Sequence, residues 1–124
     1  MFTHVMVGTN DLAKAKQFYD ATFQALGAGP GGEFNGRAFY QHNGGNFGVG
    51  VPADGQPASF ANGGTIGFAA ANKEQVDAWH AAALANGGSC EGEPGPRPGA
   101  PGNAYGAYAR DPDGNKLCSF CQLG

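Results

Sequence analysis

Apolar and polar positions along this chain follow a pattern that occurs twice. Residues 2–8, FTHVMVG, form a short apolar run and predict a strand. Thr9-Asn10-Asp11 then supplies side chains able to cap a helix. Leu12, Ala15, Phe18, Tyr19, Thr22, Phe23 and Leu26 recur at intervals of three and four, which predicts an amphipathic helix over 12–26 that Gly27 stops. Residues 64–70, GTIGFAA, predict a second short strand. Asn72 caps a helix to about Asn86 with an inner face of Val76, Trp79, Ala83 and Leu84. His80 is placed on the solvent side of that helix, and Trp79 in the core. A shift of 61 positions lays His4 on Thr65, Val7 on Phe68, Phe18 on Trp79 and Gly27 on Gly88. So long a period means two copies of one supersecondary unit, each burying its apolar face against the other. The seam between them is a natural place for a pocket.

The rest of each copy reads as strands. Arg37–His42 and 46–51 flank the turn Asn43-Gly44-Gly45. Ala104–Arg110 and Lys116–Gln122 flank Asp111-Pro112-Asp113-Gly114-Asn115, where proline suits the first corner and glycine a positive φ. Residues 28–36 read as a loop, and 91–103, with four glycines and four prolines, as irregular. Pro52 and Pro57 cannot donate ladder hydrogen bonds, so the stretch before residue 64 is a connector. The pattern predicts an α+β domain over 1–124: module one about 1–52, a linker about 53–63 and module two about 64–124.

Composition narrows the function classes. The net charge is −3 and the seven basic residues are scattered, which argues against nucleic-acid binding. No apolar run approaches the roughly 20 residues of a membrane span, and the opening MFTHVMV lacks the features of a secretion signal. Three cysteines, an odd number, point to reduced thiols. Together these predict a cytoplasmic protein.

Several motifs coincide: T-H-V then T-N-D before a helix carrying F-Y; G-T-I-G-F-A opening copy two; V-D-A-W-H-A-A-A-L-A-N-G-G; G-P-R-P; and Y-A-R-D-P-D-G-N-K near the end. The chain resembles the vicinal oxygen chelate superfamily of glyoxalase I, bleomycin-resistance and extradiol dioxygenase proteins. The resemblance covers nearly the whole chain, and D-P-D-G-N before a strand is its most specific part. It implies two βαβββ modules closing into a cupped sheet, and commonly a homodimer. It also implies a divalent metal held by one side chain from each of four strands. Here His4 matches the first ligand position. The second falls within 46–51, where Asn46 is the only polar side chain; Thr65 and Cys118 stand where the family has His and Glu. One match in four disfavours a metal cofactor.

The reading that follows is a protein of the glyoxalase and bleomycin-resistance type with a small-molecule pocket and a degenerate metal site. It would bind or modify a small organic metabolite. The alternative is a metal-dependent lactoylglutathione lyase-like enzyme acting on a thiol adduct, with His4 as one ligand. His4 and Cys118 are the candidate catalytic pair, a histidine able to activate a thiolate if about 3 Å away. Cys121 lies three residues on, faces the opposite way on a strand, and reads as a buried apolar residue. Candidate substrate contacts are Phe39, Phe47, Thr65, Arg97, Tyr105 and Tyr108. Arg97, between two prolines, would clamp a carboxylate or phosphate. Tyr105 and Tyr108 are three apart, so only one of them faces the pocket. His42 receives no role.

Overall fold

The computed structural model describes residues 1–124. Its elements are β1 (Val5–Gly8), α1 (Leu12–Ala25), β2 (Gly32–Phe34), β3 (Arg37–His42), β4 (Gly45–Gly50), β5 (Ile66–Ala69), α2 (Lys73–Ala85), β6 (Ser89–Pro96), β7 (Ala104–Arg110) and β8 (Lys116–Gln122). They form two four-stranded sheets, ordered β1-β4-β3-β2 and β5-β8-β7-β6. In each sheet the first strand of the module runs parallel to the last, β1 beside β4 and β5 beside β8, while the other pairs are antiparallel. A parallel pair needs a long crossover, which α1 and its partners supply in module one and α2 and its partners in module two. This is an α+β fold of two βαβββ modules. No helix is long and apolar enough to cross a membrane.

The helices begin where their caps stand. Asp11 accepts from the Lys14 backbone N–H at 3.1 Å, and Asn72 from that of Gln75 at 2.9 Å. Ala15, Phe18, Tyr19 and Phe23 on α1, and Val76, Trp79 and Ala83 on α2, enter one core of 16 buried residues that also takes side chains from β3, β4, β7 and β8. The modules share this core. Phe68 of β5 meets Phe23 of α1 edge-on at 5.0 Å and Phe47 of β4 at 5.3 Å.

The turn 111–115 joins the modules through buried polar contacts. Asp111 is 3 % exposed and accepts from Tyr19 Oη at 2.6 Å, from Asn115 Nδ2 at 2.8 Å, and from the backbone N–H groups of Asp113 and Asn115. Asn115 Nδ2 also donates to the Gly8 carbonyl at 3.0 Å, and the Asn10 N–H donates to Asp113. The turn is the place where β1 and α1 of module one are fastened to module two.

The structure corrects five sequence expectations. Residues 91–103 are not wholly irregular: β6 takes in 89–96 and pairs with β7 despite Pro94 and Pro96. As the outer strand of its sheet β6 has only one neighbour, so a proline there can turn its missing donor away from the ladder, and two register shifts absorb the misfit. Within 28–36, Gly32–Phe34 pairs with β3 as another edge strand. The opening strand starts at Val5, leaving His4 just before it, and the strand predicted over 64–70 forms only as β5, so Thr65 also lies outside it. On α2 the buried stripe is Val76, Trp79, His80 and Ala83. Leu84 is 42 % exposed and His80 only 4 %, so the helix is rotated toward His80 relative to the expected face.

Candidate functional site

Side chains alternate across each sheet, so the buried sets define the faces. In sheet one Val5, Val7, Ala38, Tyr40, Phe47 and Val49 point into the core. Met6, Phe39, Gln41 and the glycines Gly48 and Gly50 therefore lie on the open face. A Cβ at Gly48 would collide with Met6 Sδ and the Phe39 ring, so that glycine lets both side chains lie flat on the strand. In sheet two Leu117, Ala107, Ala109 and Cys121 are core. Gly67, Cys118, Phe120, Gly106 and Tyr108 form the open face, with Tyr108 paired to Cys118 and Gly67 beside it. By register Met6 pairs with Gly48 as Gly67 pairs with Cys118. The pseudo-repeat thus exchanges volume: module one has the large residue on its first strand, module two on its last.

The sequence-predicted residues divide among these surfaces. His4 is exposed, hydrogen-bonds to Thr3 Oγ1 through Nδ1 at 2.8 Å, and lines a shallow depression with Gly29, Pro30, Phe39, Gln41 and Asn46. Asn46 Nδ2 donates to the Thr3 carbonyl at 3.0 Å and holds this N-terminal segment against β4. Cys118 lies on the open face of the other sheet, 7 % exposed, and burial pushes its thiol up to about 11. His4 and Cys118 share no hydrogen bond; His4 stands just before β1 of sheet one, and Cys118 lies on β8 of sheet two. Tyr108 points to the open face, where Arg97 and Lys116 lie over its ring at 5.8 and 5.4 Å and Phe120 meets it edge-on at 5.7 Å. Tyr105 points the other way: its hydroxyl donates to Asp77 of α2 at 2.6 Å, away from the open face. Of the two tyrosines, Tyr108 is the one on the open face. Arg97 is held by the carbonyls of Glu93 and Pro96.

Phe47 takes part in a different feature, a cleft of about 280 Å³ at the seam between the modules. Phe23, Phe47 and Phe68 form its aromatic floor, Val5, Leu26 and Ile66 extend it, and His42, Asn43 and Asn46 stand at its rim. The cleft exists because β1 and β5 are outer strands that do not pair with each other, so the gap between them is bridged by side chains alone. Residue pattern located the seam, but not Phe68, His42 and Asn43 as its lining. Their convergence depends on how one sheet sits beside the other, which no local spacing encodes.

The family model of the Glyoxalase/Bleomycin resistance protein/Dioxygenase superfamily matches residues 1–118. The chain belongs to this family. Among solved structures, a glyoxalase/bleomycin resistance protein from Albidiferax ferrireducens T118 is 53% identical over 97% of each chain, with a TM-score of 0.91. Two more distant members share the fold: lactoylglutathione lyase from Agrobacterium tumefaciens and the fosfomycin resistance protein FosX from Mesorhizobium loti. The first is 23% identical over 97% of this chain and 92% of the other, with a TM-score of 0.66. The second is 13% identical over 99% and 92%, with a TM-score of 0.69. No curated protein matches the chain. His4 and Thr65 stand just before β1 and β5, Cys118 lies on β8, and Asn46 lies on β4.

Proposed function

We propose that this chain binds a small, mainly apolar organic molecule in the cleft at its module seam, and that it does so without a metal ion at the family's ligand positions. The observation that carries the reading is the cleft: an aromatic floor with three polar side chains gathered at one rim. That division suits a molecule with a ring or short hydrocarbon body and one hydrogen-bonding group. A volume of about 280 Å³ lies at the lower edge of the roughly 300–1,000 Å³ of small-molecule sites, which limits the ligand to one or two rings.

The donors at the metal positions do not fit a divalent ion. Cys118 offers a soft sulfur where the family has a carboxylate, and it lies buried on the open face of sheet two. Thr65 offers a neutral hydroxyl, and on β4 the residue that pairs opposite Met6, as Cys118 pairs opposite Gly67, is Gly48, which has no donor side chain. His4 is left as a single imidazole, where three protein ligands are usual at an open site. No step of a reaction is therefore routed through such an ion.

A second copy of the chain is the partner this architecture favours. Met6 and Phe39 leave an apolar open face on sheet one, with Phe34 exposed beside it, and the edges of β1 and β5 are free. Two copies related by a two-fold axis would cover both. Phe39→Glu would then give monomers by sedimentation velocity, where the unaltered protein gives dimers.

The test of the cleft is a thermal-shift screen of aromatic and thiol metabolites on the unaltered protein and on Ile66→Trp. Ile66 lines the cleft, is only half-buried and lies on the same face of β5 as Phe68, so an indole there extends into the space. A ligand at a hundred times its dissociation constant adds about 2.7 kcal/mol. Stabilisation that vanishes in Ile66→Trp supports the reading. Ligand binding untouched by Ile66→Trp would overturn it, as would turnover of methylglyoxal plus glutathione with Ni²⁺ or Zn²⁺ that disappears in His4→Ala.

A further inference from the structure

Sheet two carries a second group of chemically active side chains on the face toward α2, opposite to the one that holds Cys118. His80 of α2 is buried, with Nε2 3.2 Å from Cys90 Sγ. The same sulfur lies 3.6 Å from Glu93 Oε1, and the three ligand atoms are all within 4.8 Å of one another. Cys90 and Glu93 are exposed on β6, so the group is open to solvent on one side.

An irregularity in β6 creates this meeting. Residues three apart on a regular strand face opposite ways. Here Cys90 pairs with Ala109 and Gly92 with Tyr108, so two steps along β6 match one along β7. The bulge returns Glu93 to the side of Cys90, as such insertions re-aim side chains beside sites. The helix phase that buries His80 instead of Leu84 supplies the third member. Two departures from the regular pattern, on two elements, converge on one point.

We propose that His80, Cys90 and Glu93 form a Zn²⁺ site. A tetrahedral zinc with ordinary bond lengths holds a sulfur ligand about 3.5 Å from its nitrogen or oxygen neighbours. The 3.6 Å between Cys90 and Glu93 matches that edge, the 3.2 Å between His80 and Cys90 is a few tenths of an ångström short of it, and all three atoms lie within 4.8 Å of one another, so small side-chain rotations complete the set. One imidazole, one thiolate and one carboxylate form a borderline-soft set that suits zinc and not the oxygen-seeking Mg²⁺ or Ca²⁺. A carboxylate facing a thiolate is repulsive on its own, and a dication between them turns the repulsion into attraction. On binding, the Cys90 thiol proton passes to solvent and sulfur takes the metal in its place. Three protein ligands leave the fourth position to water or to an added thiol or carboxylate. The ion fastens α2 to the irregular edge strand β6.

Co²⁺, a coloured substitute for zinc, tests the proposal in the untagged, full-length protein. One equivalent should give a sulfur-to-cobalt band in the near ultraviolet with tetrahedral visible bands, and added Zn²⁺ should displace them. Cys90→Ser should abolish the sulfur band, and Glu93→Gln should weaken Co²⁺ binding by about tenfold or more. Cys118→Ala should leave the band intact. Cys90 and Glu93 are exposed, so their variants avoid the folding cost of replacing buried His80. The proposal fails if excess Co²⁺ gives no sulfur band, if the band survives in Cys90→Ser, or if it is lost in Cys118→Ala.

Discussion

The Tyr19 hydroxyl donates a 2.6 Å hydrogen bond to Asp111, across 92 residues of sequence and between the two modules. Both groups are buried, and Asp111 also orders its own turn through Asn115 and two backbone N–H groups. The D-P-D-G-N turn is thus a structural clasp in this protein. Tyr19→Phe keeps the ring among Phe18, Phe23 and Phe47 but removes one donor from a buried carboxylate. The expected loss is about 1–3 kcal/mol in urea denaturation, because an underpaired buried acceptor keeps its desolvation cost.

The same tyrosine makes the protein sensitive to alkali. Burial, then the charge and hydrogen bond of Asp111, raise Tyr19 well above the usual tyrosine range. Burial and the hydrogen bond to Asp20 raise Tyr40 likewise. A raised folded value means the stabilisation is fully present below the unfolded tyrosine value of about 10 and is lost as pH climbs past it. Cys118, at about 11 in the folded state, acts in the same direction from a somewhat lower onset. Unfolding free energy should therefore be flat in these groups near pH 8 and fall steeply above pH 10. Tyr40→Phe should flatten part of that slope.

Thiol reactivity should separate the three cysteines. Cys90 is exposed, whereas Cys118 and Cys121 are buried and burial raises both. For Cys118 the shift from 9.0 to about 11 lowers the reactive thiolate near neutral pH by roughly a hundredfold. A chromogenic disulfide reagent on metal-free protein at pH 7.5 should titrate one thiol quickly, lost in Cys90→Ser, and the other two after denaturation. Rapid modification of Cys118 in the folded protein would contradict its placement.

Gly88 and Gly99 should respond oppositely to alanine. A Cβ at Gly88 would lie 2.5 Å from the Arg110 carbonyl oxygen, 2.7 Å from the Phe18 ring and 2.8 Å from the Ala83 carbonyl oxygen. Two of those neighbours are backbone and cannot swing aside, so Gly88→Ala should cost about 1–3 kcal/mol or more. Gly99 has nothing within 4 Å of the same position, and Gly99→Ala should change the melting temperature little.

The module architecture was legible because its signals are local. Helix spacing, the caps at Asp11 and Asn72, and the turn 111–115 each lie within a few residues of what they specify. β7 and β8 have the predicted limits, Ala104–Arg110 and Lys116–Gln122. β6 was hidden because glycine and proline dominate its sequence, and its place in the sheet comes from β7, not from its own propensity. The rotation of α2 was hidden for a related reason. His80 and Leu84 lie on adjacent parts of one helical face, and hydropathy prefers leucine inside, but the contact with Cys90 on β6 settles the matter.

What the sequence by itself determined is the duplicated βαβββ plan, its two capped helices and its family, since periodicity and turn chemistry act over short stretches of chain. Only the tertiary structure decided which side chains meet: Phe23, Phe47 and Phe68 at the seam, Tyr19 with Asp111, His80 with Cys90 and Glu93, and His4 apart from Cys118. Those meetings depend on how two sheets and two helices settle around one shared core, and on a bulge that reverses the facing of a strand. Neither is written in the spacing of residues along the chain.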